Sequence, residues 1–404
     1  MGELIQGQID GTEASMKMGI SVRQVKRLKK RYLEKGAKGL IHQSRGNLGS
    51  RKTDTNIEKQ VVDIIKDKYS DFGPLMACEK LTELHGIQLG RETIRRIMIT
   101  AHIWKMKERK KPEYFAWRER MASYGELLQF DGSYHPWFEG RNPLILEACL
   151  LASIDDATGK ITFAEFAANE GVEAVFWFFW KYILEHGIPM GVYLDKFSTY
   201  KINHPAAVDN HDLMTQFQRA TKALNINLIT AHTPQAKGRV ERLFQTLQDR
   251  LVKELRLHNI STIPEANVFL RNTFIPWFNS RYAVVPRSTA DMHRPVPDGV
   301  RTQLPSIFST QSVRSVNNDF TIQFKNTWYQ LKEIQPMTVH KGDKVMMEER
   351  LDGTVHIQCK GQYLDAFTLP ERPKKARTNP LILTTHKLNW RPPADHPWRH
   401  YITS

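Results

Sequence analysis

The sequence has little cysteine, no long apolar run and no surplus of acidic residues, and each absence narrows the class of protein. Three cysteines in 404 residues (Cys78, Cys149 and Cys359) lie far apart, which predicts neither a disulfide framework nor a zinc cluster and favours a reducing compartment. The longest apolar run, 174–180, stops at Lys181 and is far shorter than the ~20 residues of a membrane-spanning helix. The first residues lack a basic segment followed by an apolar one, so we expect no secretory signal peptide.

The charge is strongly positive and unevenly distributed. The formal net charge is +15, and residues 1–120 hold 26 Lys and Arg against 15 Asp and Glu, a local surplus of 11. Such a balance indicates a polyanionic partner, with nucleic acid the leading candidate and a basic surface without a partner the alternative. The length allows two to four domains, and a hydrophobic content of 41% allows a sizeable core.

Residues 1–48 predict a helix-turn-helix DNA-binding domain. A short helix over 12–18 and a turn at Gly19 precede a basic helix over 21–34, which begins with the capping pair Ser21 and Gln24. The second helix of such a unit enters the major groove, although an ordinary solvated basic hairpin has the same pattern. The predicted DNA contacts on this helix are Arg23, Lys26, Arg27 and Lys30. Arg45 and Arg51 follow in a stretch that suits an extended DNA-binding arm or a flexible linker.

Residues 53–111 predict a second helix-turn-helix domain with a basic linker. Apolar spacing indicates helices around 57–65 and 74–84, and the turn over 86–90 leads into a helix over 91–98. Its predicted DNA contacts are Arg91, Arg95 and Arg96. Residues 102–111, which include Lys107, are expected to form a linker helix on DNA, with a plain charged linker as the alternative.

Residues 121–290 predict a mixed α/β domain. Three apolar segments with short turns indicate an antiparallel meander, and a buried helix over 172–185 follows. The remaining pattern alternates strands over 190–195 and 226–230 with helices over 211–224 and 238–257. The resulting order β-β-β-α-β-α-β-α describes a layered fold, and it is also the element order of the ribonuclease-H-like fold.

Three carboxylates are the candidate catalytic residues. Asp131 and Asp195 each end an apolar segment, and Glu241 follows the start of the helix over 238–257. Carboxylates presented by separate elements are the ligands that Mg²⁺ needs for phosphoryl transfer. Taken singly, the three also suit a turn residue, a cap and a solvated helix residue. Lys237 and Arg239 stand at a helix start that favours phosphate and are predicted DNA contacts.

Other polar residues near these segments leave alternatives open. Asp155 and Asp156 fit a β-turn pair or a group that supports Asp131. His135 and His232 could serve as ligands, but isolated histidines beside loops are more often structural, and their spacing indicates no zinc site.

The C-terminal third predicts a different architecture. A last helix over 264–278 precedes an irregular, proline-rich stretch that reaches residue 315. Residues 316–370 show short strands with glycine turns, which predict a small β-barrel. Residues 371–404 form a basic tail that is rich in proline, and we expect it to be extended without a core of its own.

Three segments, 128–133, 193–196 and 232–242, resemble the bacterial insertion-sequence transposases of the DDE integrase superfamily. The most specific is His-Thr-Pro-Gln-Ala-Lys-Gly-Arg-Val-Glu-Arg, and gaps of 63 and 45 residues separate the three acids. The resemblance covers essentially the whole chain, and the segments 195–200 and 392–398 are most similar to the ISNCY group. Many relatives have Asp-Asn-Gly where this chain has Asp195, Lys196 and Phe197, and an insertion is implied around 204–214.

The resemblance implies a multidomain protein with all-α helix-turn-helix units, a ribonuclease-H-like core and a small β-barrel. It implies that Asp131, Asp195 and Glu241 hold two Mg²⁺ or Mn²⁺ ions, and that the enzyme nicks transposon ends and joins the 3′-OH to target DNA. The partners would be double-stranded DNA, as terminal inverted repeats and target, and further copies of the chain in a homodimer or higher oligomer. The setting would be the prokaryotic cytoplasm, in association with the nucleoid. The alternatives are an inactive DNA-binding regulator and a nuclease that cleaves RNA–DNA hybrids.

Overall fold

The computed structural model describes residues 1–41, 53–106, 119–195, 210–231, 238–371 and 392–396, and for residues 195, 210–215, 230 and 231 it describes the backbone alone. The chain divides into two compact units, Met1–Pro112 and Glu113–Ser404, and each is treated by itself below. Within the described ranges, no helix is both long and apolar enough to cross a bilayer.

The first unit begins with three helices: α1 (Gly2–Ile5), α2 (Gly11–Met18) and α3 (Val22–Lys35), the last followed by a 3₁₀ turn (Gly36–Leu40). Gly19 ends α2 in the left-handed conformation, with φ 63°. The Ser21 side chain then caps α3 by accepting from the Gln24 amide at 3.3 Å. A small core around the buried Val25 joins these helices. The predicted pair of helices is therefore confirmed, and its bounds differ by only one residue.

Three further helices lie in the described residues 53–106 of this unit: α4 (Thr55–Lys68), α5 (Pro74–His85) and α6 (Arg91–Thr100). The predicted linker helix from residue 102 is wrong over the described residues 102–106. His102 has φ 56°, and the amides of Ile103 and Trp104 both donate to the Met98 carbonyl, at 2.9 and 3.2 Å. These bonds satisfy the end of α6 and turn the chain away from the helix axis.

The second unit is built on a five-stranded mixed sheet of order β3-β2-β1-β4-β5. Its strands are β1 (Leu128–His135), β2 (Ala148–Asp155), β3 (Ile161–Ala167), β4 (Gly191–Asp195) and β5 (Asn227–Ala231). The first three are antiparallel to one another, while β4 pairs parallel with β1 and with β5. The helices among them are α7 (Val172–His186), α8 (Asn210–Ala223) and α9 (Gly238–Leu257). This arrangement confirms the predicted order of elements.

Helices cover both faces of the sheet. Leu128 and Phe130 of β1 pack in one core cluster with the aromatic residues of α7, including Phe179. A second cluster joins β2 and β3 to α9 and the helices that follow it. Since successive side chains of a strand point to opposite faces, Gln129 and Asp131 lie on the α9 side.

Two asparagines close the free edge of β3. They belong to α10 (Ile263–Phe269) and α11 (Ile275–Tyr282), which a π turn (Leu270–Phe274) joins. Asn267 accepts from the Phe166 amide at 2.7 Å and donates to the Phe166 carbonyl at 3.1 Å. Asn279 makes the same pair of bonds with Ile161, at 2.8 and 2.9 Å. The π turn interrupts the single helix predicted over 264–278.

The last part of the unit contains α12 (Asp298–Ile307) and seven strands. The strands are β6 (Thr310–Ser315), β7 (Thr321–Phe324), β8 (Thr327–Leu331), β9 (Lys344–Glu349), β10 (Val355–Cys359), β11 (Gln362–Leu364) and β12 (Ala366–Leu369). They form two sheets, β11-β10-β9-β6 and β12-β8-β7, around one apolar core. Among residues 310–371, all of them described, no closed barrel is found, so the predicted barrel is not confirmed. The chain changes sheet at Asp365, whose amide bonds to the Gln335 side chain at 2.9 Å instead of to a neighbouring strand.

Candidate active site on the central sheet

Asp131 and Asp195 occupy matching positions on neighbouring parallel strands. The ladder between β1 and β4 ends at the pair Gln129 and Tyr193, and each aspartate lies two residues beyond its strand's member of that pair. Counted from that pair, the two residues lie at the same level along the two strands, and the two-residue period of a strand puts Asp131 on the side of the sheet that Gln129 occupies. The carboxyl ends of parallel strands are where open α/β sheets bind ligands. The prediction that Asp131 ends its strand is wrong, because β1 continues alongside β2 to His135.

Helix α9 runs along β1 on the side that carries Asp131. Near its start, the Val240 amide donates to the Gln129 side chain at 3.2 Å. Two turns later, the Gln248 amide group donates to the Ser133 hydroxyl at 3.1 Å. Asp131 lies midway between Gln129 and Ser133 on the strand, so these two bonds place the first half of α9 beside it.

Glu241 is the residue after Val240 and lies on the exposed rim of α9. The predicted buried stripe of the helix is confirmed for Val240, Leu243, Phe244, Leu247, Leu251 and Leu255. Glu241 and Gln245 are exposed, and Gln248 is half-buried where it reaches Ser133. Spacings of four and three residues put these three side chains on one rim of the helix. This rim borders both the C-terminal half of β1 and solvent.

Asp156 is a completely buried carboxylate that joins the start of α9 to the sheet. One of its oxygens accepts from Gln129 Nε2 and from Arg239 Nη1, both at 2.7 Å. The other accepts from the Met121 amide at 2.8 Å. The sequence left its role open between a turn and a support for Asp131. Its contacts lead to Gln129, which lies two residues before Asp131, and to the start of α9.

The adjacent Asp155 is the turn residue of the pair. Its carboxylate accepts from the amide and hydroxyl of Thr158, at 2.8 and 2.7 Å, and from the Gly125 amide at 3.0 Å. Burial raises the pKa of Asp155 above its ordinary value, and the Thr158 bonds oppose that rise. It therefore shapes the turn between β2 and β3 without contacting α9 through these bonds.

The donors on this side of the sheet suit a hard divalent cation. Asp131 is half-buried and Glu241 is exposed, and both offer carboxylate oxygens, which Mg²⁺ prefers. Among the side chains that the structure describes, no three His, Cys, Asp or Glu groups lie close enough to hold a metal ion together. The side chain of Asp195 is outside that set. His135 stacks edge-on against Trp137, and burial lowers its pKa; His232 lies outside the described residues.

The four basic residues predicted to contact DNA from α3 share one property. Each is exposed on the helix surface: Arg23, Lys26, Arg27 and Lys30. One exposed ion pair, from Lys30 to Glu34 at 3.9 Å, lies along the same helix. Pairs of this kind contribute little to stability, so the face keeps its positive charge available to a phosphate backbone.

The arginines of α6 have acidic neighbours within their own unit. Arg91 and Arg95 both contact Glu92, at 3.3 and 3.0 Å, and Arg96 lies 3.6 Å from Glu58 of α4. Arg95 also lies over the Trp104 ring at 5.7 Å. If α6 binds DNA, these arginines exchange their acidic partners for phosphate groups or base edges.

The remaining predicted DNA contacts divide into two groups. Arg239 is described, and its guanidinium lies against the buried Asp156. Four others lie outside the described residues: Arg45, Arg51, Lys107 and Lys237. The tail lies outside as well, apart from 392–396. The DNA contacts therefore stay predictions.

Two solved structures similar to this chain are a viral intasome and a viral integrase core domain. The simian T-cell lymphotropic virus intasome, solved with the PP2A regulatory subunit B56 gamma, is 16% identical, covers 77% of this chain and 100% of that chain, and has a TM-score of 0.32. The HTLV-2 integrase catalytic core domain, in complex with magnesium, is 18% identical, covers 41% of this chain and 94% of that chain, and has a TM-score of 0.29. Likenesses this weak carry no conclusion about this chain.

The sequence relatives are much closer. A family model described as a homeodomain-like domain matches residues 24–98, which span α3 to α6. The transposase for insertion sequence IS1202 of Streptococcus pneumoniae is 28% identical over 454 residues, which cover 98% of this chain and 91% of the relative. A candidate transposase, y4bF of Sinorhizobium fredii (strain NBRC 101917 / NGR234), is 35% identical over 368 residues, which cover 90% of this chain and 78% of the relative. The chain belongs to the family of insertion-sequence transposases.

Proposed function

We propose that this transposase binds the terminal inverted repeats of its own element, nicks the DNA at those ends and joins each new 3′-OH to target DNA. The observation that supports this proposal best is the strand register. The ladder between β1 and β4 ends two residues before Asp131 and two residues before Asp195, and the start of α9, which carries Glu241, is bonded to the same strand as Asp131.

Each carboxylate has a distinct part in the proposed reaction. Asp131, on the central strand, would bridge two Mg²⁺ or Mn²⁺ ions, while Asp195 and Glu241 would each hold one. When bound, such a pair of ions supplies activation of the attacking oxygen and stabilisation of the leaving oxygen. The longer side chain of Glu241 suits its position on the exposed rim of α9, from which it must reach across to β1.

The reaction consists of two phosphoryl transfers at one site. In the first, water attacks the phosphodiester at the transposon end. A P–O bond to the water oxygen forms as the bond from phosphorus to the 3′ oxygen breaks, so the phosphate stays on the 5′ end of the flanking DNA and the transposon end keeps a free 3′-OH. In the second, that 3′-OH attacks a phosphodiester of the target, and one P–O bond forms as another breaks. The number of phosphodiester bonds is conserved in the second step, so strand joining needs no nucleotide as an energy source.

The first unit would hold the end DNA. The exposed cations of α3 suit the major groove and its phosphates, and the homeodomain-like match supports DNA binding by this region. Two ends must be joined in one event, so the working form would be a homodimer or higher oligomer. The reaction would take place at the nucleoid, in the cytoplasm of a prokaryote.

A nicking assay tests this function directly. The substrate is a duplex that carries the inverted repeat flanking the reading frame, with Mg²⁺ or Mn²⁺ added. We expect Asp131→Asn, Asp195→Asn and Glu241→Gln each to reduce nicking and strand joining by at least about 10³-fold. Binding of the end duplex should survive, since the DNA-binding residues are unchanged.

The matched control is Asp249→Asn. This carboxylate lies on the same helix but is exposed and paired with Lys253, and we expect wild-type nicking from it. Wild-type nicking by any of the three site variants would remove that residue from the assignment. A wild-type protein that binds end DNA but does not cut it with either metal ion would instead be a regulator.

A further inference from the structure

We infer that Asp156 and Arg239 are positioning residues for the reaction, because together they fix the helix start that carries Glu241 against the strand that carries Asp131. This inference rests on the proposed function and adds two residues to its machinery. It also assigns the Arg239 guanidinium to the protein interior instead of to DNA.

The connection begins at a carboxylate that is entirely removed from solvent. The side chain of Asp156 is 0% exposed and that of Arg239 is 14% exposed, and their 2.7 Å contact joins the end of β2 to the first turn of α9. A buried charge of either sign is costly unless it is paired and hydrogen-bonded. The two side chains therefore hold each other in place. Because Arg239 belongs to the first turn of α9, the ion pair also fixes the position of that turn.

Gln129 links this ion pair to the positions of two of the three candidate metal ligands, Asp131 and Glu241. Its Nε2 donates to the same Asp156 oxygen that Arg239 contacts, and its Oε1 accepts from the Val240 amide. Gln129 stands two residues before Asp131 on one face of β1, and Val240 stands one residue before Glu241. A single network thus determines the separation between the two carboxylate positions.

The network also bonds to the segment that precedes β1, at Arg120 and Met121. The Met121 amide donates to the second oxygen of Asp156 at 2.8 Å, and Arg120 donates to the carbonyls of Asp156 and Ala157, at 3.3 and 3.4 Å. The bonds described for the Asp156 carboxylate join three segments, through the Met121 amide, the Gln129 side chain and the Arg239 side chain. Neutralising it would loosen the three segments together.

The test compares Arg239→Met and Asp156→Asn with Lys253→Met as the matched control. Lys253 is also a mostly buried cation of α9 paired with an acid, Asp249, but it lies more than three turns beyond Glu241. At saturating end DNA, we expect both network variants to lower the nicking rate by roughly 10- to 100-fold, as is typical when support for metal ligands is removed. End-DNA affinity and its dependence on salt should stay at wild-type values, and Lys253→Met should nick normally.

A direct DNA contact by Arg239 predicts the opposite pattern. Losing one phosphate contact would weaken end binding and reduce the slope of log affinity against log salt by about one, with a normal rate at saturating DNA. That result would overturn the inference. A double variant, Asp156→Asn with Arg239→Met, should lose no more activity than the worse single variant, because the two residues act as one unit.

Binding of Mn²⁺ in the absence of DNA gives a readout other than activity. Titration calorimetry should show wild-type protein binding Mn²⁺ about 10-fold or more tighter than either network variant, with Lys253→Met unchanged. Hydrogen exchange should show the Val240 amide losing protection in both variants, while the amides near Lys253 keep theirs. Unchanged Mn²⁺ affinity and unchanged Val240 protection would overturn the inference. If the wild type binds Mn²⁺ through Asp131 but cuts no end DNA, the proposed function fails and the positioning role stands.

Discussion

The two faces of the central sheet differ sharply although they share the same strands. The face under α7 is apolar, with Leu128 and Phe130 of β1 packed among Phe176, Phe178 and Phe179. The face under the start of α9 carries an amide, a carboxylate and a hydroxyl at alternate positions of the same strand: Gln129, Asp131 and Ser133. One strand therefore supplies the packing core and the candidate site, because its side chains alternate in direction.

The difference separates stability from chemistry at the level of single residues. On the apolar face, burial supplies free energy of folding and requires no particular orientation of polar atoms. On the other face, hydrogen bonds orient polar groups: Gln129 bonds to Asp156 and to the Val240 amide, and Ser133 bonds to Gln248. Substitutions on the two faces should consequently fail in different assays.

The largest contrast is expected between Phe179→Ala and Glu241→Gln. Phe179 is 1% exposed and packs on Phe130 and Phe217, so its truncation should lower the free energy of unfolding by about 3–5 kcal/mol. Glu241→Gln should leave that free energy within about 0.5 kcal/mol, because the side chain is exposed. Urea titrations measure both values. A nicking rate per folded molecule that falls in Phe179→Ala as far as in Glu241→Gln would contradict the separation of the faces.

A smaller effect is expected at His186, where α7 ends. Burial lowers the pKa of His186, and its Nε2 lies 2.9 Å from the Thr162 carbonyl, to which the neutral ring can donate. The unfolded chain takes up the proton first, so the stabilising contribution is present above about pH 6.5 and is lost as the pH falls below that value. We expect a loss below about 1 kcal/mol, because the ring is partly exposed and water screens it.

Stability measured from pH 8 to pH 5 should show this loss in wild type and a flatter curve in His186→Gln. The control is His340→Gln, which changes an exposed histidine in the connection between β8 and β9 and should retain the wild-type slope. A slope that is unchanged in His186→Gln would assign the pH dependence to other groups.

The smallest effect concerns the reactivity of Cys149, which faces α7 from β2. It is 0% exposed, and burial raises the pKa of its thiol far above the ordinary range. The thiolate is the reactive form, so a thiol reagent at pH 8 should modify the half-buried Cys78 of the native protein well before Cys149. Mass analysis of labelled peptides measures this order, and equal labelling in urea is the control. Early labelling of Cys149 would show that the apolar face opens to solvent.

The sequence predicts the elements of the site better than their support. Asp131 and Asp195 are recognisable because apolar strand segments lead to them, and α9 is recognisable because six buried residues repeat at helical spacing over 20 residues. The role of Asp156 depends on partners 27 and 83 positions away in the chain. No local pattern reports such contacts, and an Asp–Asp pair after a strand suggests a turn, which is correct for Asp155 alone.

The C-terminal part shows the same limit. Helix α12 escapes prediction because Pro305 lies inside it, and proline normally argues against a helix interior. Most strands of the two small sheets are recognisable from their composition. Composition does not tell whether these strands close into a barrel. Closure depends on which strand edges meet, and strand composition does not encode that choice.

The asparagines that flank the π turn give the edge strand β3 a side-chain substitute for a neighbouring strand. Asn267 and Asn279 are 12 positions apart, which in a regular helix of 3.6 residues per turn would place them about a third of a turn out of phase. The wider π turn at Leu270–Phe274 absorbs about one residue, and the remaining 11 complete close to three full turns. Both amides then reach the same strand. A strand from another molecule could extend the sheet at this edge only by displacing them, so the helical phase of one short segment protects the central sheet from edge-to-edge association.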